Sequence, residues 1–317
     1  APEDTFRSMS LSRQLSVLWP SGLVFAFALT VLSCGLPPVV STKVGKPMRV
    51  LPTNATAVDY VFDLIDESRV VALPDTVSDY ATVDVDFTKW TGDRAFHEFS
   101  AEVILSFDPD LVVVSPWQDQ STIDRLIESG VQVVELPPVD ELDDIRGAIR
   151  KTALALGEVQ RGEQLLADFD ARALALQEAW GKRGVVRGLV YTNYGSGGWA
   201  AGSGTTAHQL MQLAGVSNVA AEGGRVGHDG VDIETLLDFD PDVLVISKPS
   251  RDYGVTRNYL DGEEALQELR AIRDSCIIEL PAGLFSTASH HLVDGAESLA
   301  RELDALIAAG RLTPAPK

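Results

Sequence analysis

One sequence pattern occurs twice in the chain and restricts the possible folds more than any other feature. Residues 102–115 read EVILSFDPDLVVVS, and residues 234–247 read ETLLDFDPDVLVIS. Both copies have Glu, Leu, Phe-Asp-Pro-Asp, Val and Ser at the same offsets. Each copy predicts a short helix, a turn that contains proline and a buried strand. A unit repeated in both halves of a chain indicates two similar α/β lobes.

Strand and helix patterns alternate around the two repeats, which predicts a mainly parallel sheet covered on both faces. The predicted strands are Arg69–Leu73, Leu111–Ser115, Val131–Leu136, Gly188–Asn193, Val243–Ser247 and Cys276–Leu280. Two helices are predicted early in the chain: one has an apolar face of Val58, Val61, Phe62 and Ile65, and the other has a capping box at Ser121 and Asp124 and ends at Gly130. Further helices are predicted at Thr206–Ala214, Glu234–Phe239, Glu263–Ile272 and Leu292–Ala309.

The stretch from Asp140 to Trp180 separates the two repeats. It is rich in Ala, Leu, Glu, Arg and Gln and contains no proline, which predicts a long helix with an interruption at Gly157. We therefore place an N-terminal lobe at 48–139, a linker helix at 140–182 and a C-terminal lobe at 183–317. The predicted fold is α/β, with two similar lobes of mainly parallel sheet, a long linker helix and a ligand cleft between the lobes.

The N-terminus has the order of a secretion signal. Arg7 and Arg13 precede the apolar run 15–33, which ends in the sequence Val-Leu-Ser-Cys-Gly around Cys34. This ending resembles a bacterial lipobox, so residues 1–33 are predicted as a lipoprotein signal peptide, Cys34 as the lipidated residue and 34–47 as a tether. An uncleaved membrane anchor and ordinary cleavage stay open. All three place the remaining chain outside the cytoplasm, in the periplasm or at the cell surface.

Charge and cysteine content exclude several classes of protein. The net charge of −20 argues against a nucleic-acid partner, because phosphate binding needs clustered Lys and Arg. The two cysteines, Cys34 and Cys276, do not make a disulfide scaffold. Cys276 lies in an apolar strand, which predicts an inert core thiol.

Candidate ligand contacts follow the predicted strands, because ligands of open α/β sheets bind beyond the carboxyl ends of strands. Aromatic side chains there offer flat apolar faces, and Lys and Arg can hold anionic oxygens. This combination suits a bulky, partly aromatic, anionic ligand. The candidate contacts are Trp117, Tyr194, Trp199, Lys248, Arg251, Tyr253, His290 and His291.

Other kinds of site are weakly supported. Residues 195–200 fit the loose dinucleotide pattern G-x-G-x-x-A, but Trp199 would crowd the pyrophosphate. The five histidines are spread without ligand spacing, and adjacent side chains such as His290 and His291 point in different directions on regular structure, so no metal site is predicted. A single His or Tyr as axial ligand of haem iron stays open.

No nucleophile–base signature occurs, and the Asp-Pro-Asp turns are expected to set backbone conformation, so the chain is predicted not to be an enzyme and to hold no resident cofactor.

Five segments together resemble the periplasmic binding proteins for iron–siderophores and cobalamin, whose lobes are joined by one long helix. The segments are FDPDLVVVSPWQ, IDRLIESGVQVVEL, DDIRGAIRKTALALGEVQRGEQLLADF, AGSGTTAHQLMQLAGVSNVA and DIETLLDFDPDVLVIS. The resemblance covers about Arg69 to Leu306. It implies capture of an iron–siderophore, cobalamin, haem or related chelate, and delivery to the membrane permease of an ABC importer by a monomer.

The resemblance also implies a docking role for the first residue of each repeat. A glutamate on each lobe of such proteins contacts arginines of the permease, and those positions match Glu102 and Glu234. Two alternatives to a chelate carrier are a bare-metal (zinc or manganese) binding protein of a related importer, which would use His290 or His291, and an exported enzyme that uses a nucleotide at the glycine loop.

Overall fold

A three-stranded and a six-stranded sheet, connected by a pair of long helices, form the framework of the described residues, and β2 and β3 pair with each other in a small parallel sheet of their own. The computed structural model describes residues 45–180, 182–195, 197–248 and 254–316, all within one compact unit, Thr42–Lys317. The strands are β1 (Val50–Pro52), β2 (Leu73–Pro74), β3 (Ala95–Phe96), β4 (Leu111–Val114), β5 (Gln132–Glu135), β6 (Val186–Asn193), β7 (Gly198–Ala201), β8 (Val216–Asn218), β9 (His228–Val231), β10 (Val243–Lys248) and β11 (Ile277–Pro281).

Helices cover these sheets and connect their strands. They are α1 (Ala55–Leu64), α2 (Ala101–Ser106), α3 (Gln120–Glu128), α4 (Leu142–Leu156), α5 (Val159–Trp180), α6 (Thr206–Leu213), α7 (Val219–Glu222), α8 (Ile233–Phe239), α9 (Val255–Gly262), α10 (Arg270–Arg273), α11 (Ala282–Ser286) and α12 (Leu292–Ala308). Short 3₁₀ helices occupy Glu67–Arg69, Val77–Asp79, Phe87–Lys89, Gly92–Arg94 and Glu264–Glu268. No helix in these described ranges is both long enough and apolar enough to cross a bilayer.

The N-terminal sheet is parallel and has the strand order β1-β4-β5. Every residue of β1 and β4 is buried, as expected for parallel strands covered on both faces. The C-terminal sheet has the order β11-β10-β6-β7-β9, and β8 also pairs with β6. Strands β6, β8, β10 and β11 pair in parallel, whereas β7 is antiparallel to β6 and β9. The predicted α/β class with mainly parallel sheets is confirmed.

The linker between the sheets contains two helices, α4 and α5, which pack against each other. The chain breaks between them at Gly157, whose φ of +73° is a conformation that favours glycine. The predicted long helix with an interruption at Gly157 is therefore confirmed. The lobe boundaries at 139/140 and 182/183 stay predictions.

The sequence repeat is also a structural repeat, and it extends to an arginine at the beginning of each neighbouring strand: Arg49 directly precedes β1, and Arg187 is the second residue of β6. Asp110 Oδ2 accepts hydrogen bonds from the backbone N–H groups of Met48 and Arg49, and Asp242 Oδ2 accepts one from Arg187 N. The Arg49 guanidinium donates to the carbonyls of Phe107 and Asp108, and the Arg187 guanidinium donates to those of Phe239 and Asp240. The Asp-Pro-Asp turns thus set the backbone, as predicted.

Replacing Asp242 with alanine is expected to lower the free energy of unfolding by about 1–3 kcal/mol, because the change removes two partly buried hydrogen bonds to a carboxylate. Asp242 also receives a 2.6 Å hydrogen bond from Arg270, and its side chain is only 16% exposed. Urea unfolding followed by circular dichroism measures the difference. Asp238→Ala, on the exposed side of α8, serves as the control, and an equal loss in both variants would contradict the role of the turn.

Three predicted elements differ from the structure. The strand predicted at Arg69–Leu73 is only partly present, as an isolated parallel bridge of Val70 with Val50 and the first residue of β2 at Leu73. Arg69 instead ends a 3₁₀ helix, and its buried guanidinium donates to Pro47 O and Leu156 O and pairs with Glu158 at 2.6 Å. Helix α3 begins after Asp119, whose carboxylate accepts from Thr122 N, and not at the predicted Ser121 box. The helix predicted at Glu263–Ile272 is divided into a 3₁₀ helix and α10.

Candidate ligand-binding cleft

The carboxyl ends of parallel strands from both sheets point toward one region. Thr53 and Asn54 follow β1, Trp117 follows β4, Tyr194 follows β6 and Phe285 follows β11. Because parallel strands end at the same edge of a sheet, these residues collect at one edge of each lobe. The segments after the strands therefore line the space between the lobes.

Two cavities occupy that space. The first measures about 320 Å³ and is lined mainly by the N-terminal lobe: Thr53, Asn54, Ala55, Thr56, Asp59, Pro74, Thr76, Val77, Tyr80, Trp117, Ser286 and Thr287. The second measures about 440 Å³ and is lined mainly by the C-terminal lobe: Asp79, Tyr80, Thr192, Asn193, Tyr194, Ser247, Gly254, Val255, Thr256, Arg257, Ala282, Phe285 and Ser286. They share Tyr80 and Ser286, and we call them together the cleft.

The cleft combines aromatic faces with uncharged hydrogen-bonding groups. Residues Tyr80, Trp117 and Tyr194 are 52%, 61% and 76% exposed, so their aromatic faces are accessible to a ligand. Threonine, serine and asparagine supply most of the remaining polar groups of the lining. Such a surface can stack on a flat ligand and hydrogen-bond to its amide or hydroxyl groups.

The described part of the cleft carries little positive charge. Its lining contains Asp59, Asp79 and one cation, Arg257. Arg257 pairs with Asp261 at 2.9 Å and with Glu279 at 3.0 Å, and hydrogen bonding to Asp261 raises its pKa above the usual value. The guanidinium charge is therefore already balanced by two carboxylates of its own lobe.

Hydrogen bonds fix the loops that present Trp117 and Tyr194. Gln118 Oε1 accepts from Thr53 Oγ1 (2.7 Å), from Asn54 Nδ2 (2.9 Å) and from Ser115 N (2.9 Å), which ties the loop after β4 to the loop after β1. In the other lobe, the amide group of Asn193 accepts from Gly195 N at 2.7 Å. Both aromatic side chains thus stand on ordered loops.

The predicted contact residues have different positions. Trp117 and Tyr194 line the cleft. Trp199 lies in β7 and is 45% exposed, and Lys248 ends β10 and is exposed, but neither lines either cavity. Arg251, Tyr253 and Cys34 lie outside the described residues. The roles assigned to these five residues stay predictions.

His290 and His291 lie beside the cleft, at the point where α12 begins. Their rings stack with centroids 4.3 Å apart, and both have Nε2 within 3.0 Å of Asp63 Oδ2 on α1. The expectation that the two side chains point in different directions is wrong, because the residues form a turn before the helix and not regular structure. Neither lines either cavity, so their ligand contact stays a prediction.

Opposing effects set the charges in this histidine pair. Burial lowers the pKa of His290. Burial also disfavours charge on His291, but its hydrogen bond to Asp294 and the nearby Asp63 outweigh that effect and raise its pKa to about 10. For Asp63, burial would raise the pKa, but hydrogen bonding to the two histidines outweighs it and brings the pKa well below the usual range.

Several cleft residues escaped the sequence-based prediction. Tyr80 follows the 3₁₀ helix Val77–Asp79, in a segment without apolar periodicity. Asp59 lies on α1, whose sequence pattern indicates only an apolar face. The close approach of the lobes here depends on Gly283, where a Cβ atom would stand 2.8 Å from Tyr80 O. The position directly after β1 was the one signal that could have identified Thr53 and Asn54.

The two proposed docking glutamates occupy equivalent positions on the surface. Glu102 is in the first turn of α2 and Glu234 in the first turn of α8, and both are exposed. Side chains of Ser100 and Asp232 cap these helices. Each helix leads through its Asp-Pro-Asp turn into a strand whose carboxyl end is followed by cleft residues.

Known proteins resemble this chain in sequence and in fold. A cobalamin-binding protein of Halobacterium salinarum is 26% identical over 204 residues, which are 63% of this chain and 54% of that protein, so the chain spans about half the length of this curated relative. A periplasmic heme-binding protein from Roseiflexus sp. RS-1 has a TM-score of 0.69 at 25% identity and covers 81% of this chain and 98% of its own.

A third similarity concerns the fold alone. An ABC-type Fe3+-hydroxamate transport system protein from Saccharomonospora viridis has a TM-score of 0.68 at 23% identity, over 82% of this chain and 94% of its own. The family described as "Periplasmic binding protein" matches residues 53–284, which contain both sheets' parallel strands after β1, the linker helices and nearly all of the cleft lining. The chain therefore belongs to the periplasmic binding protein family.

Proposed function

We propose that this protein is the extracytoplasmic substrate-binding component of an ABC importer and captures an uncharged, amide-rich or hydroxamate-type metal chelate, with cobalamin as the first candidate. Membership of a family of binding proteins supports the first part. The lining of the cleft carries the second part: exposed aromatic faces, many neutral hydrogen-bonding groups and no unbalanced cation among the described residues.

The charge of the described part of the cleft favours some of the metal chelates that the sequence left open over others. A ferric catecholate or carboxylate complex carries several negative charges, and a buried anion needs cationic or donor partners. The carboxylate of Asp59 adds negative charge beside the first cavity, and Arg257 is committed to Asp261 and Glu279. A corrinoid or a neutral ferric hydroxamate instead matches threonine, serine and asparagine side chains. The cobalamin-binding relative agrees with this choice.

The importer function can be tested by uptake of labelled chelates into cells of the host. Deleting the gene for this protein is expected to abolish uptake of one neutral chelate at low external concentration, and expression of the unchanged protein is expected to restore that uptake. Uptake of a ferric catecholate should be unchanged in the deletion strain. Normal uptake of every neutral chelate without the chain would contradict the proposal.

Import of a bare metal ion is the second candidate, because two histidines and one carboxylate do converge in the structure. Among the described residues, the group able to share an ion is Asp63, His290 and His291. This group lies outside the lining of both cavities, where a transported ion would have to be captured and released. The cleft therefore favours a chelate over a bare ion as the cargo.

We also propose that the chain is anchored through lipid at Cys34, on the basis of the lipobox-like sequence. Cys34→Ser is expected to shift the protein from the membrane fraction of the host to the soluble extracytoplasmic fraction or to leave it as an unprocessed precursor, and metabolic labelling with a fatty acid should no longer mark it. Cys276→Ser, which changes a buried core thiol, is the control and should leave labelling intact.

A further inference from the structure

Three potential metal ligands meet where helix α1 of one lobe touches the start of α12 of the other. His290 Nε2 lies 2.6 Å from Asp63 Oδ2, and His291 Nε2 lies 3.0 Å from the same oxygen. One ligand atom from each residue lies within 4.8 Å of the others. His290 is only 5% exposed, whereas the Asp63 side chain is 36% exposed and leaves a path from solvent.

The hydrogen bonds around His291 direct its Nε2 at this cluster. Its Nδ1 lies 2.6 Å from Asp294 Oδ2, and since a carboxylate can only accept, Nδ1 carries a hydrogen. Nε2 of the same ring lies 3.0 Å from a second acceptor, Asp63 Oδ2, so either a proton or a metal ion must lie between these two atoms. His290 Nδ1 is buried without a hydrogen-bond partner.

A second layer of residues holds the cluster in place. The carboxylate of Asp294, which orients His291, is itself paired with Arg172 on α5, and Arg172 also donates to Glu297 at 2.8 and 2.9 Å. A histidine whose second nitrogen donates to a fixed carboxylate is the usual arrangement of a metal-ligating imidazole. The carboxylates of Asp63, Asp294 and Glu297 outnumber the single guanidinium, so the local charge favours a cation.

We propose that Asp63, His290 and His291 bind one zinc ion that joins the two lobes beside the linker. Two imidazoles and one carboxylate are a ligand set that suits zinc, with the fourth position open to water. Zinc bonds of about 2.0–2.1 Å place tetrahedral ligand atoms roughly 3.3 Å apart, so each histidine Nε2 needs to move away from Asp63 Oδ2 by less than about 1 Å. When the ion binds, the hydrogen of His290 moves from Nε2 to Nδ1 and the proton on His291 Nε2 passes to solvent, so both Nε2 atoms offer a lone pair to the metal.

This ion has a structural role and is not the cargo. It connects α1, the turn before α12 and, through Asp294 and Arg172, helix α5 of the linker. Because it binds the folded chain and not the unfolded one, it stabilises the contact between the lobes. The site is separate from the cleft, so its test is independent of the proposed importer function.

The test is a titration of the full-length chain, purified in detergent and stripped with EDTA, with Co²⁺ as a spectroscopic probe. The expected result is the visible absorption of four-coordinate Co²⁺ at one ion per chain, lost on addition of one equivalent of Zn²⁺. Asp63→Asn and His291→Gln should lose the absorption. Asp294→Asn, which keeps all three ligands, should weaken the affinity about 10–100-fold.

The control is His97→Gln, which removes an exposed imidazole paired with Asp75 and should bind Co²⁺ as the unchanged chain does. Circular dichroism of each variant without metal identifies any that fail to fold. If the ligand variants do not fold, the Co²⁺ affinity of Asp294→Asn decides, because this variant keeps all three ligands. Absence of the Co²⁺ absorption in the unchanged chain, or its persistence in both ligand variants, would overturn the proposal.

Discussion

Replacing both Glu102 and Glu234 with alanine is expected to reduce chelate uptake by at least about tenfold while chelate binding to the purified protein is unchanged. A close charge pair across an interface contributes about 1.5 kcal/mol or more, and 1.4 kcal/mol corresponds to a factor of about ten. The two glutamates are exposed and lie at equivalent positions of a repeated unit. Each single variant should have an intermediate effect.

The matched control for this prediction removes two exposed glutamates that do not belong to the repeat. Glu128 ends α3 and Glu302 lies on α12. The double variant Glu128→Ala/Glu302→Ala carries the same change in net charge and should transport normally. Normal uptake in both double variants would contradict the docking role of Glu102 and Glu234. It would not affect the family membership or the proposal about the cleft.

Asp59→Ala is expected to destabilise the protein by about 3 kcal/mol, because it strips the acceptor from several buried donors at the junction of the lobes. Asp59 is 1% exposed. Its carboxylate accepts from Thr82 N (2.8 Å), Thr82 Oγ1 (2.7 Å) and Ser289 Oγ (2.9 Å). The donors come from both lobes, so the substitution weakens the contact between them as well as the fold of the N-terminal lobe.

Urea unfolding of residues 35–317 measures this effect, and two further variants separate its causes. Asp59→Asn keeps one oxygen acceptor and should lose less than half as much free energy of unfolding. Asp66→Ala, an exposed carboxylate just after the same helix, should be nearly neutral. A loss of less than about 0.5 kcal/mol for Asp59→Ala would show that the network contributes little to stability.

The framework was predictable because its signals are local. The repeated helix–turn–strand unit predicted α2 with β4 and α8 with β10, and the sequence from Asp140 to Trp180 predicted both linker helices together with their break at Gly157. Apolar runs identify buried parallel strands reliably when every residue of the strand is covered, as in β4. The antiparallel strands β7 and β9 were missed, since Gly198 and Gly230 interrupt the alternation that marks a half-buried strand.

The cleft was predictable only where it follows a recognised strand. Trp117 and Tyr194 were found in this way. Tyr80 was not, because tertiary hydrogen bonds between Thr82 and Asp59 place its segment, and these join residues distant in sequence. The convergence of His290 and His291 with Asp63 was likewise hidden, because residues 227 or more positions apart meet there through packing of the two lobes.

The central claim, that the cleft binds an uncharged metal chelate, is tested most directly by tryptophan fluorescence of residues 35–317 titrated with cobalamin, a ferric hydroxamate and a ferric catecholate. The expected result is saturable quenching at one chelate per chain by cobalamin or the hydroxamate. Most of the quenching should be lost in the Trp117→Phe variant. It should be kept in Trp180→Phe, because the indole of Trp180 is buried in the linker. Saturable binding of the catecholate alone, with no response to either neutral chelate, would contradict the account.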